Sequence, residues 1–335
     1  MPSVPHPKVW KSYKDQLGIL RSRGLIISDE PKALRYLAKI GYYRLSGYWF
    51  SLREPTGLCV RLTDDFKKPK KLKPEILRYD RFIKGSSFQD ALDLYVFDKK
   101  LRLLALDALE RIEVAIRVDI SHTLGGKDKF AYLKPELFHD KFSNTYNEAG
   151  VTGHHKWLGK HGGLITRSKE DFITHNRDRY GLPIPIWVTC EVWDFGTMST
   201  LFAGMIEADQ DAISKKYGIS NGRVFASWLR SLNYLRNVCA HHSRLWNRNV
   251  IDQPKLPPDN ETNFAKHFRG NDRLISRPFL LLCITQHLIK RISPTSSWQS
   301  RVRRLLENEF PKLDHAHLDL GSIGVDKNWK RRWPK

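Results

Sequence analysis

The chain has 335 residues, of which 41% are hydrophobic and 10 are tryptophan, enough apolar material for a large domain or a main domain with an appendage, and too much for a disordered chain. Lys and Arg number 57 against 36 Asp and Glu, a formal charge of +21 that repels itself in the compact state and makes sense mainly if a polyanion screens it. Nucleic acid is the first expectation; an anionic membrane surface is second, weakened by the lack of a basic amphipathic tail or a lipidation signal.

The start, M-P-S-V-P-H-P, has no charged segment leading into an apolar run, so no signal peptide is expected. The longest apolar run, Phe279 to Ile289, contains Gln286 and His287 and is too short to span a bilayer. Cys59, Cys190, Cys239 and Cys283 form no C-x-x-C pair, which favours reduced thiols and a soluble, cytoplasmic protein.

In chain order, Trp10, Tyr13, Leu17 and Leu20 have the spacing of an amphipathic helix that Gly24 ends. Ser28-Asp29-Glu30-Pro31 starts a second helix carrying Leu34, Leu37 and Ile40, closed by Gly41. The run Tyr42 to Phe50, with Arg44 among its aromatics, has the composition of a base-stacking surface but reads better as a buried hydrophobic corner. Phe66 to Lys73, F-K-K-P-K-K-L-K, reads as an exposed loop.

The longest helical signal is Phe88 to Leu124. Its broad apolar face includes Leu101, Ala105, Ala108, Ile112, Ile116 and Ile120, while Asp98, Arg102, Glu110, Glu113 and Arg117 gather on a separate arc. That arc reads as a solvent face braced by Asp98–Arg102 and Glu113–Arg117 pairs, with Arg117 left open as one wall of a basic cleft. Gly125 to Tyr180 is polar with little periodicity and reads as a mobile surface insertion. Its His154, His155, His161 and His175 fit no zinc template, and no metal is expected. Pro183 and Pro185 then precede a short apolar segment, and a helix is expected from about Thr197 to Tyr217. Glu191, in an apolar setting, must be paired with an arginine or turned outward. A proline-rich linker covers 253–258, a last good helix Arg277 to Ile292, and the chain ends in a basic, tryptophan-bearing tail. No repeat and no β-rich region is visible. The fold class is mainly α: an N-terminal helical region over 1–84, a helical core over 85–310 with the polar insertion 125–180, and a basic tail over 311–335.

The richest stretch is Tyr234 to Arg248, Y-L-R-N-V-C-A-H-H-S-R-L-W-N-R. On a helical wheel Phe225, Trp228, Leu229, Leu232, Leu235 and Cys239 form an apolar stripe, and Arg230, Asn237, His241, Arg244 and Arg248 a polar one opposite. Arg236 points into the apolar stripe, where a charge must be paired or must face a cleft or a second subunit. Cleaving RNA without a metal needs a group that moves protons at the 2′-hydroxyl or the leaving 5′-oxygen, which suits His241. It also needs a cation on the phosphate, which suits the planar guanidinium of Arg236. Asn237, one turn before His241, can orient the ring. On an ideal helix Arg236 and His241 stand about 140° apart, so either the helix end is irregular or two copies of the motif meet across a two-fold axis.

Arg236-Asn237-x-x-x-His241 resembles the R-x4-6-H motif of HEPN domains. Together with Y-Y-R-L-S-G-Y (42–48), L-Y-V-F-D-K-K-L-R (94–102), R-I-E-V-A-I-R (111–117), P-I-W-V-T-C-E-V-W-D-F-G (185–196) and L-R-N-V-C-A-H-H-S-R-L-W-N-R (235–248), it makes the chain resemble the Abi-like family of bacterial abortive-infection proteins, of the AbiD/AbiF type. The resemblance implies a HEPN-type helical bundle, phage defence, and metal-independent RNA cleavage leaving a 2′,3′-cyclic phosphate, with no cofactor. It assigns catalytic roles to Arg236 and His241, with Asn237 beside them and His242 also meeting the looser spacing. Arg230, Arg244, Arg248 and Arg117 are the expected RNA contacts. The presence of one clear motif copy implies a homodimer, and a structured non-coding RNA is an expected partner. The alternative is a non-catalytic RNA-binding protein using the same basic surface.

Overall fold

The computed structural model describes residues 9–59, 75–326 and 328–334, so the charge run Phe66 to Lys73 lies outside the described residues. The molecule is mainly helical, at 63%, with a single two-stranded sheet among the described residues. It divides into two units: residues 1–100 with 305–320, and 101–304 with 321–335.

In the first unit the expected punctuation acts where it stands. Gly24 follows α1 (Tyr13–Ser22) as expected, but the helix starts later than its spacing suggests, at a reciprocal capping box of Ser12 and Asp15, so Trp10 lies outside it and is exposed. The Asp29 side chain caps α2 (Glu30–Ile40), with proline in its first turn. Gly41, at a φ of 90°, turns the chain directly into α3 (Tyr42–Trp49). Leu45, Tyr48 and Trp49 are buried as expected of a hydrophobic corner, but Tyr43 is 73% exposed. A small antiparallel hairpin follows, β1 (Arg53–Cys59) and β2 (Glu75–Phe82), paired from Arg53↔Phe82 to Cys59↔Glu75.

The long helix α4 (Phe88–Gly125) forms as its periodicity predicts. Most of its charged arc does not face solvent, however: Glu110 is exposed, but Asp98 is 0% exposed and Arg102 and Glu113 are also buried. The interior accepts them because they are bonded there. Tyr48 Oη donates to Asp98 Oδ2 at 2.7 Å, and Glu113 pairs with Arg117.

In the second unit, the segment read as a mobile insertion is built into the core. It contains α5 (Asp140–Ser143), α6 (Gly153–Arg167) and α7 (Asp171–Tyr180). His154, Trp157, His161 and Leu164 face inward on α6, and Ile173 on α7. The periodicity was hidden because two inward positions are histidines whose ring nitrogens are bonded: His154 Nε2 to the Tyr132 carbonyl at 2.7 Å, and His161 to Trp193 and Thr189 at 3.1 and 3.2 Å. The expected helix over 197–217 is two, α9 (Phe195–Gly204) and α10 (Glu207–Lys216), after the short α8 (Ile186–Thr189). The break falls at Met205-Ile206, where both residues adopt extended backbone.

Helix α11 (Gly222–Ala240) carries the predicted apolar stripe: Phe225, Trp228, Leu229, Leu232 and Leu235 are all 0% exposed. Asn221 caps it, accepting from the N–H groups of Arg223 and Val224. A Cβ on Gly222 would lie 2.3 Å from Gln210 Cβ, so only glycine lets α11 start against α10. The proline-rich linker is docked on α11: Trp228 Nε1 donates to the Lys255 carbonyl at 2.8 Å, and the Lys255 N–H donates to Ser227 Oγ at 2.9 Å. The chain continues through α12 (Asp272–Ile275), the almost wholly buried α13 (Pro278–Ile292), α14 (Trp298–Asn308) and α15 (Trp329–Arg332). At the basic, tryptophan-bearing end of the chain Trp329 and Trp333 are buried, and Trp333 stacks on Phe279 and Trp298.

Candidate functional site

The helix that carries the motif stops before the motif is complete. Ala240 is its last residue and His241 is the C-cap. His242 then adopts a φ of 55°. Its N–H donates to the Cys239 carbonyl at 3.1 Å, and the Ser243 N–H donates to the Val238 carbonyl at 2.9 Å. Those two bonds make a Schellman turn, with histidine at the left-handed position that glycine normally takes. The polar stripe read from the wheel therefore breaks: Arg230 and Asn237 are on the helix, His241 ends it, and Arg244 and Arg248 lie in the following loop. The irregularity begins after His241: its N–H still makes the helical bond to the Asn237 carbonyl at 3.0 Å, and its side chain is exposed at the helix end.

Arg236 is half-buried and turned toward α4. Burial pushes the Glu113 carboxyl above its usual range, and the charges of Arg117 and then Arg236 pull it back. No direct ion pair joins Arg236 to Glu113; Arg236 Nη1 instead makes a long contact of 3.5 Å to Asn237 Oδ1. The Arg236 side chain thus lies in the field of a buried carboxyl while most of its donors remain available. Glu113 is the residue that sequence reasoning missed here. Its four-residue spacing to Arg117 was visible, but not its reach to α11.

Arg117 is committed inside the protein. It pairs with Glu113 and donates to the carbonyls of Glu191 (3.3 Å) and Trp193. It clamps the turn that leads into α9, while the Glu191 side chain is exposed. Arg248 folds back on α11: its Nε donates to Tyr234 Oη at 2.7 Å and its guanidinium lies 5.7 Å from the Tyr234 ring centroid. Its Nη1 donates to the Arg244 carbonyl, so this bracket holds the loop bearing Arg244 against the end of the helix. Leu245 and Trp246, buried in the same loop, anchor it further.

Beside α11 lies a cleft of about 820 Å³. The α11 side contributes Arg223, Ala226, Ser227, Arg230 and Asn233, one helical face whose next turn is Asn237. Opposite stand Gly196 and Thr200 of α9, with Lys141 and Lys255 at the rim. A Cβ on Gly196 would meet the Asn233 amide at 3.4 Å, so the two helices approach closely at the end nearer the motif. Arg223 pairs with Glu207. Lys141, Arg230 and Lys255 form no ion pair among the described residues, and they are exposed cations able to take phosphate. From Arg223 to Asn237 the face runs roughly 21 Å at 1.5 Å per residue. Of this lining, only Arg230 was picked out from sequence; Lys141 and Lys255 come from distant segments.

No group of three or more His, Cys, Asp or Glu residues is arranged to hold a metal ion among the described residues. No helix among them is long and apolar enough to cross a membrane. Fold and site together define a helical protein with a cation-lined cleft running toward an Arg-Asn…His helix end. The model of the Abi-like protein family matches residues 35–247, and the chain belongs to that family, which points to abortive infection, a phage-defence response. No curated protein and no solved structure matches the chain significantly.

Proposed function

We propose that the protein is a HEPN-type endoribonuclease that acts in phage defence by cleaving RNA through its own 2′-hydroxyl. The 2′-oxygen attacks phosphorus as its proton passes to a base. The P–O5′ bond breaks as the 5′-oxygen takes up a proton, leaving a 2′,3′-cyclic phosphate and a free 5′-hydroxyl. His241 is the proton-transfer group. Arg236 stabilises the charge that builds on the non-bridging oxygens, and Asn237 orients one of these two side chains. The observation that carries the reading is the end of α11, where an exposed His241 caps the helix about a turn beyond the half-buried Arg236. The phosphate backbone follows the cleft along α11, contacting Arg230, Lys255 and Lys141, with Arg244 beyond the turn. Arg117 and Arg248 act as positioning residues. One imidazole cannot act as base and acid in the same step, so a homodimer bringing two motifs together is part of the proposal.

The test is cleavage of a single-stranded RNA with mapped ends. Arg236→Ala and His241→Ala are each expected to lower the rate at least a hundredfold with unchanged thermal midpoints. Wild-type rates in both variants would sink the reading. The cations without carboxylate partners in the cleft favour a second reading, a non-catalytic RNA binder that sequesters RNA or is regulated by a structured non-coding one. Under it the same variants change affinity alone, and RNA incubated with the wild type stays intact.

A further inference from the structure

The first unit carries a different surface. Helix α1 and the corner between α2 and α3 wall an open cleft of about 1150 Å³. Around it Trp10 is 85% exposed, Tyr43 73%, and Tyr13 and Phe50 48% each. Four large aromatics around one opening on a protein surface mark a binding site rather than chance exposure.

Tyr43 and Phe50 are held in place. Tyr42 packs edge-on against buried Trp49, with ring centroids 5.0 Å apart, and against Tyr43 at 5.8 Å. Phe50 lies 5.8 Å from the Arg53 guanidinium, which Asp80 holds at 2.9 Å. The left-handed Gly41 makes the corner that turns Tyr43 outward. Cations are interleaved with the rings. Lys11 and Lys39 line the cleft and form no ion pair among the described residues, while Arg23 and Arg53 share the single carboxylate of Asp80.

Flat apolar faces with negative charge at regular intervals describe an unpaired nucleic-acid strand. A duplex hides its base faces, and a lipid headgroup has none to stack. We infer that this cleft binds single-stranded nucleic acid by stacking bases on Trp10 and Tyr43, with Lys11 and Lys39 taking the adjoining phosphates. This site does not depend on the cleavage chemistry assigned to α11.

The experiment is fluorescence anisotropy of the full chain with a labelled 12-nucleotide 2′-O-methyl oligouridine, which cannot be cleaved by 2′-hydroxyl attack. The background is Arg230→Gln with Lys255→Gln, so that binding along α11 does not mask a loss. Trp10→Ala and Tyr43→Ala are each expected to weaken binding about tenfold, with Trp10→Phe and Tyr43→Phe within about twofold, because any aromatic face stacks. An abasic strand of equal length should bind weakly and equally to all variants. A DNA strand that binds as well supports the site and removes sugar preference; weaker DNA supports it and narrows it to RNA. Unchanged affinity in both alanine variants overturns the inference. So does an equal loss for the abasic strand, or a loss in the phenylalanine variants as large as in the alanine ones. Failure here leaves the cleavage assay with Arg236→Ala untouched.

Discussion

His242 occupies the left-handed region at a φ of 55°, where an L-residue with a Cβ is disfavoured by roughly 1–2 kcal/mol. Removing the Cβ relieves that cost, whereas shortening the side chain to alanine keeps it. His242→Gly should therefore be more stable than His242→Ala by about 1 kcal/mol, the reverse of the order inside a helix, as read from urea unfolding midpoints. An alanine variant as stable as the glycine one would mean that the turn is not held in this geometry. The same pair separates the two histidines. If His241 transfers the proton, His242→Gly cleaves within a few-fold of wild type in single-turnover assays while His241→Ala loses at least a hundredfold. Arg236→Lys should also fail by at least tenfold, because a point charge cannot offer phosphate two parallel donors. A lysine variant of wild-type rate would show that only charge is needed at 236.

Helix positions rest on a few close approaches and buried polar bonds. Gly222→Ala forces a Cβ against Gln210 Cβ and the α10 backbone, and should destabilise the second unit by about 1–3 kcal/mol, visible as a lowered thermal midpoint. Burial holds His161 and His287 down to about 4, against an ordinary value near 6.5. Below pH ~6.5 the unfolded chain takes up protons that the folded chain refuses, so stability falls as pH drops from about 6.5 toward 4. Each histidine contributes on the order of 3 kcal/mol to that fall. His161→Phe should make the fall shallower in denaturant titrations between pH 7.5 and 4.5; parallel curves would show that the ring is not held neutral. The sequence told these elements apart unevenly. Asp29 with Pro31, Gly24, Gly41 and the apolar stripe of α11 carry local signals that act where they stand. The end of α11 was illegible because the glycine that usually announces it is a histidine. α6 was illegible because its buried face includes His154 and His161, which count as polar until their partners are known.

The net charge of +21 does not by itself say where a polyanion sits, since charge spread over the whole surface and charge gathered in a cleft give the same sum. What separates them is which cations lack a carboxylate. Among the described residues in the cleft beside α11 those are Lys141, Arg230 and Lys255, spread over more than a hundred residues of sequence, which is why only Arg230 stands out in the unfolded chain. A single strand bound there should release counterions from the phosphates these groups contact, about 0.7 in the slope of log K against log salt for each. Arg230→Gln with Lys255→Gln should therefore reduce that slope by about 1.4 for a single-stranded RNA, measured between 50 and 300 mM salt. Neutralising two exposed lysines outside both clefts, Lys160→Gln with Lys216→Gln, removes the same charge from the total. Those two are already paired with Asp194 and Asp119, so the slope should hardly move. Equal changes in the two double variants would mean that RNA senses the summed field of the molecule, and the α11 cleft would lose its claim to be the track that leads a strand to His241.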